Sequence, residues 1–360
     1  MNQDNSALME VNRIPVPTWN WLKMNSGRTA RISNPTGITG TACRIPEGIT
    51  IKEGGTPDTS LPAPEPGCGK EIQQLIENSA VTPQYIEVNG KTDTPLVLNF
   101  TFDGTLSTVS YQTIHVREGA AATAILVYSS GAGDGFNGNR TTVFAERNSS
   151  LELIKVNLLG EGTVQTDGTD FVAGEGASLK FTQIELGGRT TFSGIRAELA
   201  GQGAKFRSNV AYICRRGQTL DMNHLVVHSG KKTECRMDVS GTLFGGAAKT
   251  YRGTVDLRKG CSGSKGNEME ETLLISPDAV NKSIPIILCG EEDVEGEHGC
   301  TIGRLSAEVL FYMQSRGISV PEAEQIITRA KIQAAAAAIT DGKTADEIQN
   351  TLDRMFDNGQ

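Results

Sequence analysis

The period of apolar and polar residues changes twice along this chain. From about residue 83, short β-prone runs recur: YIEV, LVLNFTF, YQTIHV, TAILVYS, TTVFAE, LELIKVNLL, LKFTQIEL, KFRSNVAYI, LVVH, CRMDV, TYRGTVDL, TLLIS and IPIILC. They start roughly every 10–15 residues, with Gly, Asn and Asp between them and no helical stretch. Several alternate apolar and polar positions, as half-buried strands do, and Leu151, Leu153, Lys155 and Asn157 give one of them a mixed face. The spacing excludes a βαβ architecture and leaves a sandwich, a barrel or a stacked β-solenoid. No strict repeat is visible, so periodicity alone does not choose among them.

Both flanks differ from this middle. Up to about Asn25, Thr18 caps an expected short helix with Trp19 and Leu22 on one face. Residues 26–70 are rich in Gly, Pro, Thr and Ser and read as irregular chain, with one strand pair around Ile45 to Ile51 and a short helix following at Lys70–Ile76. Beyond residue 300 the period becomes helical. Leu305, Val309, Leu310 and Met313 share a face of a helix ending near Gly317. Ser319, Pro321 and Glu322 start a second helix, with Ala323, Ile326, Ile327 and Ala330 as its stripe. Thr344 and Glu347 form a capping box for a third, whose stripe is Ile348, Leu352, Met355 and Phe356. The expected division is 1–82 as an N-terminal segment, 83–300 as the β-body and 301–360 as a helical unit. That unit either covers the end of the β-body or docks a partner.

Composition narrows the class. Of 360 residues, 41 are Gly and only 5% are aromatic, which suits many turns and thin layers. The net charge of −8 argues against a nucleic-acid partner. No apolar run is long enough to span a bilayer, and the N-terminus lacks the basic and apolar regions of a signal peptide, so a cytoplasmic location is expected. The seven cysteines are odd in number, widely spaced and free of any CxxC, which argues against a disulfide framework or a zinc ribbon. Each is either a small buried hydrophobe or a metal ligand.

The residue types nominate few sites. Glu297 and His298 are adjacent and precede Gly299; a carboxylate and an imidazole can both ligate a metal, and neither is as soft a donor as a thiolate. Cys289 and Cys300 flank them as candidate thiolates, with Cys261 a further one. His224 and His228 are four apart in a run that favours a strand, where they stand roughly 13 Å from each other, too far to share a metal. His115 lies in a strand without a nearby partner and is read as structural. Gly67-Cys68-Gly69-Lys70-Glu71 lacks the spacing and the Ser/Thr of a P-loop, so nucleotide binding is rejected there. Glu291, Glu292, Asp293 and Glu295 read as a solvated turn.

The stretch Glu297-His298-Gly299-Cys300-Thr301-Ile302-Gly303-Arg304-Leu305, followed by Leu310-Phe311-Tyr312-Met313-Gln314-Ser315-Arg316-Gly317-Ile318, resembles the SufB/SufD family. Leu273-Leu274-Ile275 with Pro285, and Thr250-Tyr251-Arg252-Gly253, fit the same family pattern upstream. The resemblance implies a right-handed parallel β-helix with a small all-α C-terminal unit. It implies a scaffold component of the SUF iron–sulfur cluster assembly machinery, without turnover of its own, that holds a transient cluster of a kind two subunits can share across their interface. The implied partners are a SufC-type ABC ATPase on the C-terminal helices, a second SufB/SufD-type subunit (homo- or heterodimer) and a cysteine desulfurase system. His298 falls on the family's interface histidine. SufB-type chains carry Glu directly after it, where this chain has Gly299 as SufD-type chains do. The scaffold cysteine of SufB has no counterpart in Ser276–Asn281. An adaptor that recruits the ATPase and holds no cluster is therefore the alternative. A carbohydrate-active β-helix enzyme is a remote one, since it needs paired carboxylates and the acids here cluster in turns.

Overall fold

The computed structural model describes residues 8–18 and 20–357. An antiparallel ribbon of β1 (Leu8–Val11) and β2 (Gly27–Ala30) is followed by the short β3 (Thr36–Gly37) and β4 (Thr41–Ala42), β5 (Ile49–Glu53) and α1 (Lys70–Glu77). The body then alternates between two sheets. Its first turns are β6 (Gln84–Val88), β7 (Leu96–Phe102), β8 (Ser107–Val116), β9 (Ala121–Ser130), β10 (Phe136–Ala145), β11 (Ser150–Leu158), β12 (Val164–Ala173) and β13 (Ser178–Glu185). Its later turns are β14 (Thr190–Leu199), β15 (Lys205–Cys214), β16 (Thr219–His228), β17 (Glu234–Leu243), β18 (Ala248–Leu257), β19 (Ser264–Leu274), β20 (Val280–Cys289) and β21 (Val294–Gly303). Three helices end the chain: α2 (Ala307–Gln314), α3 (Val320–Ala336) and α4 (Gly342–Asp357).

Even-numbered strands from β6 to β20 stack in one sheet and odd-numbered strands from β7 to β21 in the other, every neighbour within each series parallel. A chain that changes sheet at each strand while each sheet grows by one parallel neighbour is a β-solenoid, here of about eight turns among the described residues. The first turn is closed off: β5 pairs antiparallel with β6, and β4 with β7. At the other end, β20 and β21 are the last strands of their sheets, with their outer edges unpaired among the described residues.

The repeat hidden from composition lies in the backbone. Gly119, Asn148, Gly176, Gly203 and Lys232 all have positive φ, between 54° and 69°. Each sits in the turn from an even to an odd strand and donates its N–H to the next turn: to Arg147, Glu175, Gln202, Lys231 and Ser262 respectively. A small buried residue follows each of them: Ala120, Ser149, Ala177, Ala204 and Thr233. Turn length varies, from 26 residues between paired Val164 and Thr190 to 32 between paired Ala248 and Val280, which blurs any sequence repeat.

The interior is divided lengthwise. Leu98, Ile114, Leu153, Phe181, Leu199 and Phe206 belong to an apolar column between the sheets. The same strands turn polar towards the other half. On β11, Leu151 and Leu153 give way to Lys155 and Asn157, all facing inward and buried. Lys155 Nζ donates to Asp167 Oδ1 at 2.6 Å and to Thr169 Oγ1 at 2.9 Å, and lies 5.5 Å from the Tyr128 ring centroid. Asn157 Nδ2 donates to Glu185 Oε2 at 2.6 Å, and Gln183 Nε2 to Glu185 Oε1 at 2.6 Å.

Both outer faces are partly covered. The N-terminal segment covers the even sheet through Met9, Val11, Ile72 and Ile76. It is clamped by two buried carboxylates. Asp221 accepts from Asn12 at 2.8 Å and from Arg252 at 2.6 and 3.1 Å, while Asp170 accepts from Arg140 at 3.0 Å and from the Gly67 N–H at 2.6 Å. The odd sheet is covered on its side, rather than its end, by α3 and α4, whose Ile332, Ala335, Ile348, Leu352 and Phe356 pack on Ile125, Ile154, Ile184 and Ile213.

Several local expectations change. Asn20–Lys23 is a single turn, with Lys23 at φ 50° and Trp21 98% exposed, so no helix follows Thr18; Trp19 lies outside the described residues. The strand at Ile49–Glu53 takes β6 as its partner rather than a neighbour near Ile45. Leu305 precedes α2, which is capped by Ser306. The capping box of Ser319 and Glu322 is present, but the buried positions of α3 are Ala323, Thr328, Ile332 and Ala335, with Ile326 exposed; the flat sheet, where Thr328 meets Thr242 at 3.2 Å, selects that face. Asp341, rather than Thr344, caps α4, accepting from the Thr344 N–H at 2.8 Å, and Thr344 is buried.

Two predictions follow from the polar interior. Replacing Lys155 by Met leaves Asp167 buried and uncompensated and should lower unfolding stability by about 3–5 kcal/mol in urea titrations, most of it recovered when Asp167 is also made Leu. An equally stable single variant would contradict this account of the pair. The second concerns pH. Burial pushes the Glu185 carboxyl up to about 8, against the hydrogen bond from Asn157, and Glu268 up to about 7. A raised folded pKa means the native state holds a proton that the unfolded chain loses above its ordinary carboxylate value, so this stability is lost as pH rises. Burial lowers His224 to about 3 and His228 to about 4, so their contribution is lost as pH falls below the ordinary histidine value and is constant above it. Between pH 6.5 and 8 the melting temperature should therefore fall, and Glu185→Gln should flatten that slope.

Candidate functional site

At the open end of the solenoid, β21 pairs with β19 alone. Its register sets Asn267 beside Glu297, Glu268 beside His298 and Glu270 beside Cys300. Strand residues alternate sides, so His298 and Cys300 share the inner side with Glu268 and Glu270. Glu297 is on the outer side, where its Oε2 accepts from Asn267 Nδ2 at 3.1 Å. Adjacency in sequence thus separates Glu297 and His298, and spacing by two unites His298 with Cys300.

Cys300 lies at the rim of a buried polar cluster. Its Sγ is 3.5 Å from Glu270 Oε2. Glu270 is ion-paired with Lys249 and accepts from Ser283 at 2.9 Å and from Thr272 at 3.1 Å. Lys249 and Glu270 are both buried, and Thr272 meets Tyr212 Oη at 2.9 Å. Burial, and then the Glu270 charge, push the Cys300 thiol up to about 11, with Lys249 pulling the other way. The thiol is therefore protonated at rest. Burial, reinforced by Glu270, raises Glu268 to about 7, and burial lowers the Lys249 ammonium despite Glu270.

Cys289 is elsewhere. It ends β20 beside Leu257, and its Sγ donates to the Glu291 carbonyl at 3.2 Å. The six residue steps along β21 from Val294 to Cys300 span roughly 20 Å, so Cys289 and Cys300 occupy opposite ends of the last turn. Cys261, buried in the turn before β19, lies on the Cys289 side, and burial raises its thiol. Among the described residues, no three His, Cys, Asp or Glu side chains converge as a metal-binding group.

The remaining sequence candidates are structural. His224 and His228 face inward on β16, four residues apart; His224 packs edge-on against Tyr251 with centroids 5.1 Å apart, and His228 Nδ1 meets Thr233 Oγ1 at 2.7 Å. His115 does have partners, contrary to expectation: Tyr85 Oη at 2.8 Å and Glu146 Oε1 at 3.0 Å, because it faces outward under residues of other turns. Gly67 presses backbone to backbone against Gly194, where a Cβ would meet the Gly194 carbonyl at 2.4 Å; this close approach accounts for the glycine in the stretch that resembled a P-loop. Glu291 and Asp293 accept from the Gly260 N–H at 2.9 Å and from Ser262 at 2.6 Å across an exposed turn.

Lys249, Glu268 and Glu270 were not singled out from sequence. Glu268 and Glu270 alternate with Asn267 and Met269 as on a solvated strand, and only the register shows which pair points inward. A second feature is the helix after the last rung. No residue of α2 is buried, and Phe311 and Tyr312 are 74% and 57% exposed. Among the described residues, no helix is long and apolar enough to cross a membrane.

Comparison with known proteins agrees with this architecture. Residues 101–331 match the family model for the SUF system FeS cluster assembly, SufBD core domain. An iron–sulfur cluster assembly SufBD family protein of Mycobacterium leprae is 26% identical over 158 residues, 44% of this chain and 18% of that protein. Proteins of the same description from Staphylococcus epidermidis and Staphylococcus aureus strain USA300 are 26% identical over 159 residues, 44% of this chain and 34% of each of those proteins. The matched stretches thus span between about a fifth and a third of these relatives. With well over half of its residues inside the core-domain match, and with the last strands of that domain carrying His298 and Cys300, the chain belongs to the SufBD family.

Proposed function

We propose that this chain is one subunit of a scaffold on which iron–sulfur clusters are built, and that the open end of its solenoid is where iron and sulfide, as cargo, are held. One observation carries the reading: His298 and Cys300 face inward on a strand whose outer edge is unpaired among the described residues, with Cys300 beside the buried Glu270–Lys249 pair. An unpaired parallel edge is a template for another strand, and a second SufBD-type subunit is the natural occupant. The donor set fits that arrangement. One thiol, one imidazole and inner carboxylates are fewer ligands than a cluster needs, so the remainder come from the second subunit. Glu297, on the outer side, contributes to the edge rather than to the ligand set. Cys289 and Cys261, at the far end of the last turn, are a separate thiol pair, outside this ligand set.

The exposed apolar face of α2 is the docking surface for a SufC-type ATPase. Val309, Phe311 and Tyr312 project from a helix that has no fully buried side chain and follows the last strand immediately. ATPase movement would thus be transmitted to the open end through a linker of a few residues. Sulfur would come from a cysteine desulfurase system. The adaptor reading is favoured by Gly299 following His298 and by the absence of Cys from Ser276–Asn281; in that version the partner subunit holds the cluster.

Anaerobic co-expression with the ATPase, with iron and sulfide analysis and a visible spectrum, separates the two. Wild type should hold a labile cluster, His298→Ala and Cys300→Ser should each lose most of it, and Glu297→Ala and Cys289→Ser should retain it. A stable complex that never binds iron or sulfide would leave the adaptor reading standing instead. Independently, Phe311→Asp should abolish co-purification of the ATPase while the melting temperature stays within a few degrees of wild type, since the side chain is exposed. Undiminished co-purification would remove α2 from the interface.

A further inference from the structure

Away from the open end, the solenoid carries a groove of about 1060 Å³ along the turns that lead from odd to even strands, closed on one side by the last turns of α4. That volume is in the range of small-molecule sites. Its charge is unusual for a chain of net charge −8. Four arginines line it, from three separate elements: Arg189 between β13 and β14, Arg215 and Arg216 between β15 and β16, and Arg354 on α4. Glu161 is the one carboxylate among the lining residues.

These arginines are only weakly committed to partners within the chain. Arg189 is exposed and has no ion-pair partner among the described residues. Arg354 donates to its own helix, to the Asn350 carbonyl at 3.3 Å and Thr351 Oγ1 at 3.1 Å. Arg216 reaches Asp278 only at 3.7 Å, with both side chains mostly exposed. Arg215 meets Glu161 at 2.7 Å, yet its Nε is buried without a partner, and Glu161 is itself largely exposed. Pairs of this kind are worth little and are readily exchanged for a better anion. Successive turns of the solenoid stand about 4.8 Å apart, so guanidinium groups from neighbouring turns are spaced for adjacent phosphates, which arginine recognises in bidentate fashion. Beside them the wall is apolar: Phe244 and Phe356, with ring centroids 6.3 Å apart and tilted by 54°, continue into Leu186 and Met355.

We propose that this groove binds an organic diphosphate carrying a planar ring, with Arg189, Arg215 and Arg216 on the phosphates and the Phe244–Phe356 wall against the ring. The site is separate from the Cys300 cluster, so its occupant tunes or reports on the scaffold rather than becoming part of the cargo. Because α4 closes one side and α3 and α4 pack on the odd sheet, the ligand bridges the helical unit and the solenoid.

Titration calorimetry of the full chain with ADP, inorganic pyrophosphate and adenosine tests this. ADP should bind more tightly than either fragment. Arg189→Ala and Arg215→Ala should each weaken ADP roughly tenfold or more, and Arg189→Lys should recover only part of the loss. Glu161→Gln, which frees Arg215, should tighten ADP binding. Phe244→Leu should weaken ADP and leave pyrophosphate unchanged. Arg189 is exposed and Arg215 half-buried on a surface turn, so these variants should fold, and circular dichroism checks it. No heat with any probe, ADP binding indifferent to both arginine substitutions, or pyrophosphate binding as tightly as ADP would each overturn the proposal.

Discussion

The structure depends on the parallel backbone ladder that joins each turn to the next. Parallel strands cannot be closed by a two-residue hairpin, so each turn must cross to the other sheet and return. The device that makes this crossing compact is one residue in the left-handed region, whose N–H bonds the turn above. Glycine takes that conformation without steric cost. Asn148 and Lys232 hold it within a ladder that over-determines their backbone. A small side chain must follow, because the neighbouring turn is only a strand spacing away. Stability in such a stack is a sum of nearest-neighbour terms, which is why the ends, having one neighbour each, need separate treatment.

The two ends are treated in opposite ways. Short antiparallel strands, β4 and β5, close the first turn. The last turn is left with bare edges and with inner-facing polar groups at its rim. A buried Lys249–Glu270 pair is expensive to desolvate and contributes little net stability on its own. Its place beneath Cys300 makes sense as control of the charge beside that thiol. The interior polar half continues deeper, through Lys155, Asp167 and Glu185, so the solenoid has an apolar column responsible for cohesion and a polar column beside it. Each of these buried polar groups finds its partner on a neighbouring strand or turn.

The flanking segments complete the argument. The N-terminal segment and the pair α3–α4 cover opposite outer faces, and Asp170 and Asp221 hold the former through arginines of the even sheet. What they leave bare is specific: the outer edges of β20 and β21, the aromatic face of α2, and an arginine-lined groove beside α4. An acidic chain that concentrates four arginines in one concavity focuses the local field there.

Much of this was legible from residue order. Short β-prone runs without intervening helices limited the body to a few all-β architectures, and the capped, striped C-terminal segments marked three helices. The stretch from Glu297 to Ile318 carried the family resemblance. The choice of a solenoid over a sandwich was beyond periodicity, because turn lengths vary and the recurring feature is a backbone conformation met by Gly, Asn or Lys alike. The candidate site was only half readable. Glu297 and His298 are adjacent in reading but face opposite sides, while His298 and Cys300, two apart, share one; Lys249 and Glu270 join Cys300 from strands some fifty and thirty residues earlier. Sequence by itself determined an all-β body with a helical end and, through the stretch from Glu297 to Ile318, the family resemblance that implied a β-helix. Only the tertiary structure decided which of them share a face, since a strand's register, fixed by its neighbours' hydrogen bonds, assigns every side chain to the inside or the outside.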